Sequence, residues 1–388
     1  MYHNLLVHLS QIFPVSLPSI YSQRMRAILA GGGTGGHIIP ALAIAQELKK
    51  QFDAEVVFVG TARGLETRLV PAAGFPLHLI EVGALNKVNL RTRLRTVAEL
   101  PRSVRQALRL MLDFRPNIVI GVGGYASGPA MLAAILRRIP TLAFEPNYVP
   151  GFANRRVARW VSGAAVHFAA TGRYFRNPVV TGVPVRQAFF EIPAKSVVEP
   201  PTLLVFGGSQ GAHAINRAMY DSVADLRMRI PGLRVIHQTG ERDYNDAEAA
   251  YSKLPEDGGD RRVEFYRFID DMPGMFAQSD VIVCRSGAST VAEISAAGKP
   301  AVFIPFPLSA DDHQKRNAEA LEKASAAVML QQSNLTPESL ATLVTSLFRD
   351  PARLRQMGDA ARKLSYPNAA RDIAVMASRL ARASKPQT

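Results

Sequence analysis

The sequence predicts an α/β protein in which two parallel-sheet domains flank a cleft. Its 388 residues are enough for two domains, each with its own core. Apolar runs alternate with helical patterns, and a glycine-rich loop joins the first run of each half to the helix that follows. This order restarts near residue 202, so the second half repeats the scheme of the first.

The first glycine-rich loop, residues 30–40, reads AGGGTGGHIIP and separates a predicted strand from a predicted helix. Bare backbone N–H groups and a helix N-terminus attract anions, so the loop suits a phosphate. The alternative is a tight turn with no ligand, because the G-x-G-x-x-G spacing of Gly31, Gly33 and Gly36 is weak evidence alone. His37 falls in the first helical turn, where packing or capping competes with a catalytic role.

A second strand is predicted over residues 54–60 and a third over 77–82. A dinucleotide-binding domain usually has an acidic residue near the end of its second strand, to hold the ribose hydroxyls. Here residues 60–63 read GTAR, which argues against NAD, although Arg63 leaves NADP open.

Residues 84–112 are strongly basic, with seven Lys and Arg against the single acid Glu99. Apolar residues interleave at near-helical spacing, and Pro101 is expected to break the run. A basic amphipathic segment is typical of a surface that meets anionic lipid headgroups. The alternative is a solvated charged face over an ordinary core; nucleic acid is disfavoured because aromatic stacking platforms are absent here.

The first half continues with a strand at 116–121, a second glycine-rich loop at 122–129 and a helix at 130–136. A further strand at 140–144 ends at the corner 145–147, which reads EPN.

The second half repeats this order of strand, loop and helix. Parallel strands put their carboxyl ends at one edge of a sheet, so two such domains enclose a ligand cleft. The predicted elements are strands at 202–206, 234–239, 263–268, 280–284 and 299–305, glycine-rich loops at 207–212 and 285–290, and helices at 213–219 and 291–297.

The proline-rich segment 191–201 is predicted to be a linker, and the domain boundary is placed around 187–200. We expect the segment before the first strand to be a disordered extension or a misassigned start. The C-terminal segment is expected to form a helix that packs back on the N-terminal domain. The predicted units are an N-terminal extension at 1–24, domains at 25–190 and 200–365, and the C-terminal helix at 366–388.

The formal net charge of +14 favours an anionic partner: nucleic acid, an acidic membrane surface or a phosphorylated ligand. Cys284 is the single cysteine, which excludes an intrachain disulfide and fits a reducing compartment. No apolar run reaches the length of a membrane span, and Pro14 and Pro18 argue against a secretory signal.

The segment 284–293, CRSGASTVAE, offers N–H groups and hydroxyls to phosphates at the start of a helix. Glu293, about one turn into that helix, can accept two hydrogen bonds from a ribose diol. The alternative is an ordinary first-turn acid that favours the helix dipole. Gln314 can bond a sugar hydroxyl or simply lie on a helix surface.

No acidic pair or histidine cluster has convincing metal-ligand spacing, so neither a metal nor another cofactor is expected. The adjacent acids at 270–271 and 311–312 are predicted to be helix caps.

Six motifs are spread over most of the chain: GGGTGGH at 31–37, GVGGYASGP at 121–129, the corner 145–147, GGSQGA at 207–212, FIDDM at 268–272 and CRSGASTVAE at 284–293. Together they resemble the MurG family of peptidoglycan N-acetylglucosaminyltransferases. The resemblance implies a GT-B fold, UDP-N-acetylglucosamine (UDP-GlcNAc) as donor, and undecaprenyl-pyrophosphoryl-N-acetylmuramyl-pentapeptide (lipid I) as acceptor. It also implies a peripheral location on the cytoplasmic face of the inner membrane, where the basic segment 84–112 would meet anionic lipid.

Carried over by motif, the resemblance also implies site residues. Arg186 and Ser209 would face the diphosphate, Ile269 would give uracil a backbone contact, and Glu293 would accept from the ribose. The acceptor side would hold His37 and Tyr125. The donor contacts are Thr34, Gly35, Gly36, Asn147, Arg186, Ser209, Ile269, Ala288, Ser289, Thr290, Val291, Ala292, Glu293 and Gln314.

The chain departs from the family pattern at two of these motifs. Pro146 stands where the corner commonly has Gln, and Val183 stands where the turn before Arg186 commonly has Asn. The geometry of Asn147 and Arg186 therefore depends on the three-dimensional structure.

The family reaction inverts the sugar linkage, which implies one displacement with His37 as the candidate base. N–H donors of the loops at 207–212 and 285–290 would stabilise the leaving diphosphate. Three rivals stay open: a UDP-GlcNAc 2-epimerase-like isomerase, a non-catalytic nucleotide-binding protein on the membrane, and an NADP oxidoreductase.

Overall fold

The computed structural model describes residues 24–33, 35–82, 90–193, 200–254 and 262–383, with the backbone alone for 90–98. The described part of the N-terminal half contains one all-parallel sheet with the strand order β3-β2-β1-β4-β5-β6-β7. Its strands are β1 Arg26–Gly31, β2 Glu55–Gly60, β3 Leu77–Leu79, β4 Ile118–Gly123, β5 Thr141–Glu145, β6 Gly163–Val166 and β7 Pro178–Val180.

The helices of this half connect successive parallel strands and cover both faces of the sheet. They are α1 Gly35–Phe52, α2 Glu66–Ala72, α3 Leu90–Phe114, α4 Ser127–Leu136, α5 Phe152–Val157 and α6 Gln187–Phe190.

The described part of the second half contains another all-parallel sheet, in the order β10-β9-β8-β11-β12-β13. Its strands are β8 Thr202–Phe206, β9 Arg234–Gln238, β10 Val263–Tyr266, β11 Val281–Cys284, β12 Ala301–Phe303 and β13 Ala327–Met329. The helices are α7 His213–Arg229, α8 Tyr244–Tyr251, α9 Met272–Gln278, α10 Ala288–Ala297, α11 His313–Lys323, α12 Pro337–Phe348, α13 Pro351–Lys363 and α14 Ala369–Ala383.

Strand β1 shows why these apolar runs form central strands. Side chains alternate between the two faces of a sheet, and every second residue of β1 belongs to a different core. Leu29 lies in the cluster under α1 and α14, whereas Ile28 lies in the cluster under α3 and α4, and both are fully buried. Such two-sided burial is typical of parallel sheets, so the predicted α/β class with two parallel-sheet domains is confirmed.

Each sheet reverses its strand order beside its first strand. β1 lies between β2 and β4, and β8 lies between β9 and β11. The crevice outside the carboxyl ends of strands at such a switch point is where α/β sheets bind ligands. The loops after β1, β4, β8 and β11 are the glycine-rich segments found in the sequence.

The prediction that Pro101 breaks the basic segment is wrong, because α3 runs unbroken from Leu90 to Phe114. Proline removes one backbone N–H but does not by itself separate two helices when the helix packs well. Here Val104, Ala107 and Met111 are buried on the sheet, which holds the helix in place beyond the proline. Within the described ranges, no helix is both long and apolar enough to cross a membrane.

The chain crosses between the domains twice. Phe189 and Ile192, near the end of the first half, are buried in a core cluster of the second sheet. In return, α14 packs along α1, and its residues Ile373, Ala374 and Ala377 are fully buried in a core cluster of the first sheet.

Candidate active site

The loops after β1 and β4 interlock at the cleft side of the first sheet. A β-carbon at Gly31 would lie 2.3 Å from the carbonyl oxygen of Gly123, and one at Gly124 would lie 2.3 Å from that of Gly32. Gly124 also has φ +81°, a conformation that side chains disfavour. Glycines are needed here because the two backbones touch.

Glu66, at the start of α2, fixes the glycine-rich loop after β1 through a hydrogen bond. It is fully buried, and its carboxylate accepts hydrogen bonds from the N–H of Gly33 at 2.7 Å and from the N–H and hydroxyl of Thr61, both at 3.0 Å. Burial alone would raise the pKa of Glu66, but the hydrogen bonds from Gly33 and Thr61 lower it overall. The loop N–H of Gly33 is therefore already paired with an internal anion.

Sequence reasoning missed Glu66, although a signal was present. β-carbons at Gly32, Gly60 and Gly64 would each come within 2.6 Å of the Glu66 side chain, so these three glycines make room for it. The signal in this sequence is a single acid that follows a buried strand and two glycines, Gly60 and Gly64.

His37 lies in the first turn of α1 with its ring against the second loop. A β-carbon at Gly123 would lie 2.8 Å from its Cε1 atom, and its Nδ1 atom is buried with no hydrogen-bond partner among the described residues. Burial lowers the pKa of His37 from its ordinary value of 6.5. The backbone of Val122 raises this pKa in part, and His313 of the second domain lowers it further. The imidazole is thus neutral at pH 7, the form that a general base requires.

Tyr125, the other residue predicted for the acceptor side, follows β4 and is half-exposed at 49%. It lies two residues after Gly123, the last residue of β4, against which the His37 ring packs.

The corner after β5 is fixed by the buried Glu145. Its carboxylate accepts hydrogen bonds from the N–H and side-chain amide of Asn147, both at 3.1 Å, from the N–H of Gly151 at 2.9 Å and from the amide of Asn154 at 3.0 Å. Burial raises the pKa of Glu145, and these hydrogen bonds partly oppose the rise. Asn147 is held by this network although Pro146 replaces the residue that the family commonly has.

The second domain reaches Asn147 through α11. The side-chain oxygen of Asn147 accepts a 3.2 Å hydrogen bond from the amide of Asn317, and the Asn317 oxygen accepts from the N–H of Tyr148 at 2.9 Å. The corner is thus the place where hydrogen bonds cross the cleft.

Gln238, at the end of β9, joins two predicted donor loops and was missed by sequence reasoning. Its amide donates to the carbonyl of Gly208 at 3.0 Å, and its oxygen accepts from the N–H of Ile269 at 2.8 Å. It is 1% exposed, and no sequence pattern distinguishes it from an ordinary strand residue. Ser209, beside Gly208, is exposed.

The helix predicted to start at residue 291 begins earlier, at Ala288, so all six residues from Ala288 to Glu293 lie in the first turns of α10. The Ser289 hydroxyl is buried with no hydrogen-bond partner among the described residues. Burial raises the pKa of Glu293 and the charge of Arg186 partly opposes this rise, which gives a pKa of about 7 overall. The guanidinium of Arg186 also lies over the Phe189 ring, 5.1 Å from its centroid.

Gln314, in the first turn of α11, is hydrogen-bonded to the segments that follow β11 and β12. Its side-chain oxygen accepts from the N–H of Phe306 at 2.9 Å, and its carbonyl accepts from the Ser286 hydroxyl at 2.8 Å. Its side-chain amide is the group that can donate to a sugar.

The remaining predicted residues divide as follows. Gly35 and Gly36 open α1 beside His37, whereas Thr34 lies outside the described residues. Asp271 caps α9 by accepting from Gly274 at 3.0 Å, as predicted. The cap prediction for residues 311–312 is wrong, since both have φ near +50° and neither side chain accepts a capping hydrogen bond. In the described ranges, no three His, Cys, Asp or Glu side chains are grouped to hold a metal.

Both halves of the chain match domains of known families. Residues 27–166 match the glycosyltransferase family 28 N-terminal domain, and residues 202–373 match its C-terminal domain. A protein of Solibacter usitatus is 43% identical over 357 residues, which cover 92% of this chain and 96% of that protein. Its name is UDP-N-acetylglucosamine--N-acetylmuramyl-(pentapeptide) pyrophosphoryl-undecaprenol N-acetylglucosamine transferase. A protein of Syntrophotalea carbinolica with the same name is 43% identical over 89% of this chain and 96% of its own length.

Solved structures agree with this likeness. The crystal structure of Acinetobacter baumannii MurG superposes with a TM-score of 0.76 and 32% identity, and covers 92% of this chain and 99% of that one. A UDP-GlcNAc 2-epimerase from Neisseria meningitidis has a TM-score of 0.63, 16% identity and a coverage of 91% of this chain and 100% of its own. At that identity the epimerase shares the fold alone.

Proposed function

The chain belongs to glycosyltransferase family 28, and we propose that its cleft transfers N-acetylglucosamine from UDP-GlcNAc to the 4-hydroxyl of the N-acetylmuramyl group of lipid I, giving lipid II. It is a UDP-GlcNAc-dependent N-acetylglucosaminyltransferase of peptidoglycan synthesis.

The observation that carries this function is the meeting of the acceptor and donor sides in one cleft. His313, at the start of α11 beside Gln314, lies close enough to His37 of the other domain that protonation of His313 would lower the pKa of His37. Asn147 bonds across the same gap to Asn317. A sugar between the loops of β1 and β11 would therefore contact residues of both domains.

On the donor side, the charges and hydrogen bonds support separate roles. We assign the ribose hydroxyls to Glu293, whose carboxylate has lost water to burial and gains from two hydroxyl donors. Arg186, close enough to lower the pKa of Glu293, is assigned to the diphosphate together with Ser209. The carbonyl of Ile269 is assigned to uracil N3–H, because the Ile269 N–H donates to Gln238.

The reaction proposed is a single displacement that inverts the anomeric carbon. Neutral His37 takes the proton of the acceptor hydroxyl as that oxygen attacks, and UDP leaves with the bonding electron pair. The N–H groups at the start of α10 and in the loop after β8 stabilise the charge that develops on the diphosphate. Residues Ala288 to Glu293 form the first turns of α10, which supports this role.

Turnover of labelled UDP-GlcNAc with lipid I tests the function and the base together. The wild-type enzyme should transfer label into a lipid-extractable product, and His37→Ala should lower kcat by about 10²–10⁴-fold. His78→Ala, at an exposed histidine on the edge strand β3, is the matched control and should leave kcat unchanged.

Two outcomes would contradict this assignment. An unchanged kcat with a raised KM for lipid I in His37→Ala would make the histidine a binding residue and not the base. Conversion of UDP-GlcNAc to its 2-epimer without acceptor would replace the transferase by an isomerase.

The acceptor is a membrane lipid, and we propose that α3 docks the enzyme on the anionic cytoplasmic leaflet as a peripheral protein. Arg102, Arg105 and Arg109 are exposed on the face of α3 opposite its buried residues. One of them is partly neutralised, because Arg102 pairs with Glu81 at 3.2 Å. The basic residues at 87–95 lie outside the described side chains.

A further inference from the structure

We propose that Asn317 is a positioning residue that latches the two domains together and sets the orientation of Asn147. The inference rests on the proposed function only in making Asn147 a donor contact. The latch itself is a property of the cleft, independent of which sugar is transferred.

Asn317 lies on α11 and is completely buried, and all its partners lie in the corner of the first domain or in the loop before α10. Its amide donates to the side-chain oxygen of Asn147 and to the carbonyl of Ser286, both at 3.2 Å. Its oxygen accepts from the N–H of Tyr148 at 2.9 Å. One side chain thus joins the first domain to the loop that opens the donor-binding helix.

The corner to which Asn317 is hydrogen-bonded is also held by hydrogen bonds within the first domain. The Thr171 hydroxyl lies 3.1 Å from the carbonyl of Asn147 and 2.9 Å from that of Tyr148, so it can donate to either, while Glu145 holds the Asn147 amide. On the other side, the Ser286 hydroxyl donates to the carbonyl of Gln314. The hydrogen bonds of Asn317 therefore connect two segments that each have further hydrogen bonds within their own domain.

The orientation of the Asn147 amide follows from its two partners. Its nitrogen faces the Glu145 carboxylate and its oxygen faces the Asn317 amide, so a flip would set oxygen against carboxylate and nitrogen against nitrogen. The second N–H of Asn147 is then presented as a donor. Asn317 acts on the donor sugar through this contact and touches no reacting atom.

The latch is reversible. In an open cleft the polar groups of Asn317 and its partners would form hydrogen bonds to water, so breaking the latch costs little net free energy. Hinge closure of two domains around a ligand requires open and closed forms of similar free energy, because the ligand has to shift the equilibrium between them. A few hydrogen bonds of small net free energy meet this requirement. Donor binding and closure should accordingly be coupled through Asn317.

The test uses three measurements on the full-length enzyme: the radius of gyration by X-ray scattering with and without UDP, the Kd for UDP, and the KM and kcat for UDP-GlcNAc. Asn317→Ala should enlarge the radius of gyration of the unliganded enzyme. It should also raise the KM roughly 5–50-fold, with a smaller change in kcat. Asn317→Asp should raise the KM and the radius of gyration more than Asn317→Ala does. It keeps the acceptor for the Tyr148 N–H, but it turns a carboxylate oxygen towards the Asn147 oxygen.

A double-mutant cycle shows whether the effect passes through Asn147. If it does, Asn147→Ala with Asn317→Ala should raise KM by less than the product of the single effects. Leu340→Ala, a buried position on α12 away from the cleft, is the control for general destabilisation. It should lower Tm while leaving KM and the radius of gyration unchanged.

A wild-type radius of gyration and KM in Asn317→Ala would overturn the proposal, as would effects equal to those of Leu340→Ala. If Asn317→Ala does not fold, Asn317→Ser gives the same measurements with a smaller cavity. Scattering and UDP binding need no transfer reaction, so a failure of the proposed function would leave the latch separately testable.

Discussion

Glu293 and Glu66 show how one residue type acquires opposite properties from its surroundings. Both lie near the start of a helix, where an acid favours the helix dipole. Glu66 is surrounded by the N–H donors of Gly33 and Thr61, which outweigh its burial and lower its pKa. Burial dominates at Glu293 and raises its pKa to about 7. Glu66 therefore has its hydrogen-bond donors within the fold, whereas the donors for Glu293 would come from the ribose hydroxyls that we propose it binds.

We predict that Glu293→Gln stabilises the unliganded enzyme at alkaline pH. The folded-state pKa of about 7 exceeds the ordinary value of 4.5, so the wild type loses stability as the pH rises through this window. Full ionisation costs about 3 kcal/mol at 1.36 kcal/mol per pKa unit. The variant avoids this cost, and its advantage should grow between pH 4.5 and 8.

Urea denaturation across that pH range measures the difference, and UDP titration should show weaker binding by the variant. A stability difference that does not change with pH would contradict the assignment of a raised pKa to Glu293.

At the scale of elements, α3 is the helix that we propose docks on the membrane. Its buried face and its exposed arginines lie on opposite sides, as the near-helical spacing of apolar residues indicated. The prolonged helix also changes the surface, since Pro101 does not divide the basic residues into two separate segments.

We predict that Arg105→Gln with Arg109→Gln weakens binding to vesicles containing anionic lipid. Each basic residue near such a surface contributes about 1 kcal/mol, so the loss should be about 10–30-fold at low salt. Co-sedimentation at rising salt measures it, because electrostatic binding is screened.

Arg353→Gln with Arg355→Gln removes the same charge from the exposed side of α13 and should leave vesicle binding nearly unchanged. Wild-type binding that survives high salt would point to an apolar dock and contradict the role of the arginines.

The accuracy of the sequence interpretation also differs between elements. The long apolar runs at β1, β2, β8 and β11 were found within one or two residues, because burial on both faces leaves a strong signal. Strand β13 was not predicted. It is three residues long, and its short apolar segment has no periodicity that separates a strand from a helix.

At the scale of the whole molecule, α14 makes the C-terminus part of the first domain. Its buried face is built from small residues that lie close to α1, with Ile373 as the largest fully buried side chain on it. The chain therefore ties the two domains together at both of its crossing points.

We predict that Ile373→Ala destabilises the first domain by about 2–5 kcal/mol, because it leaves a cavity between α14 and α1. Hydrogen exchange should rise in α1 and β1 more than in the second sheet, and thermal unfolding should shift downward. Arg371→Ala, at an exposed position of the same helix, is the control and should change neither. Faster exchange confined to residues 200–365 would contradict this packing.

The sequence alone determined the two parallel sheets, the four glycine-rich loops at their switch points and the family to which the chain belongs. These follow from local patterns: apolar runs, glycine spacing and motif residues, all of which are readable along the chain. Only the tertiary structure decided what the loops do with their hydrogen bonds. Glu66 pairs with Gly33, Gln238 joins Gly208 to Ile269, and Asn317 bonds to Asn147 across the cleft.

These four hydrogen bonds join residues 30 to 170 positions apart in the chain. A buried amide or carboxylate is stable only where the fold supplies its partners, and sequence spacing carries no record of partners so distant. The chain therefore encodes its sheets and loops locally, whereas the closed cleft exists only once both domains have formed and met.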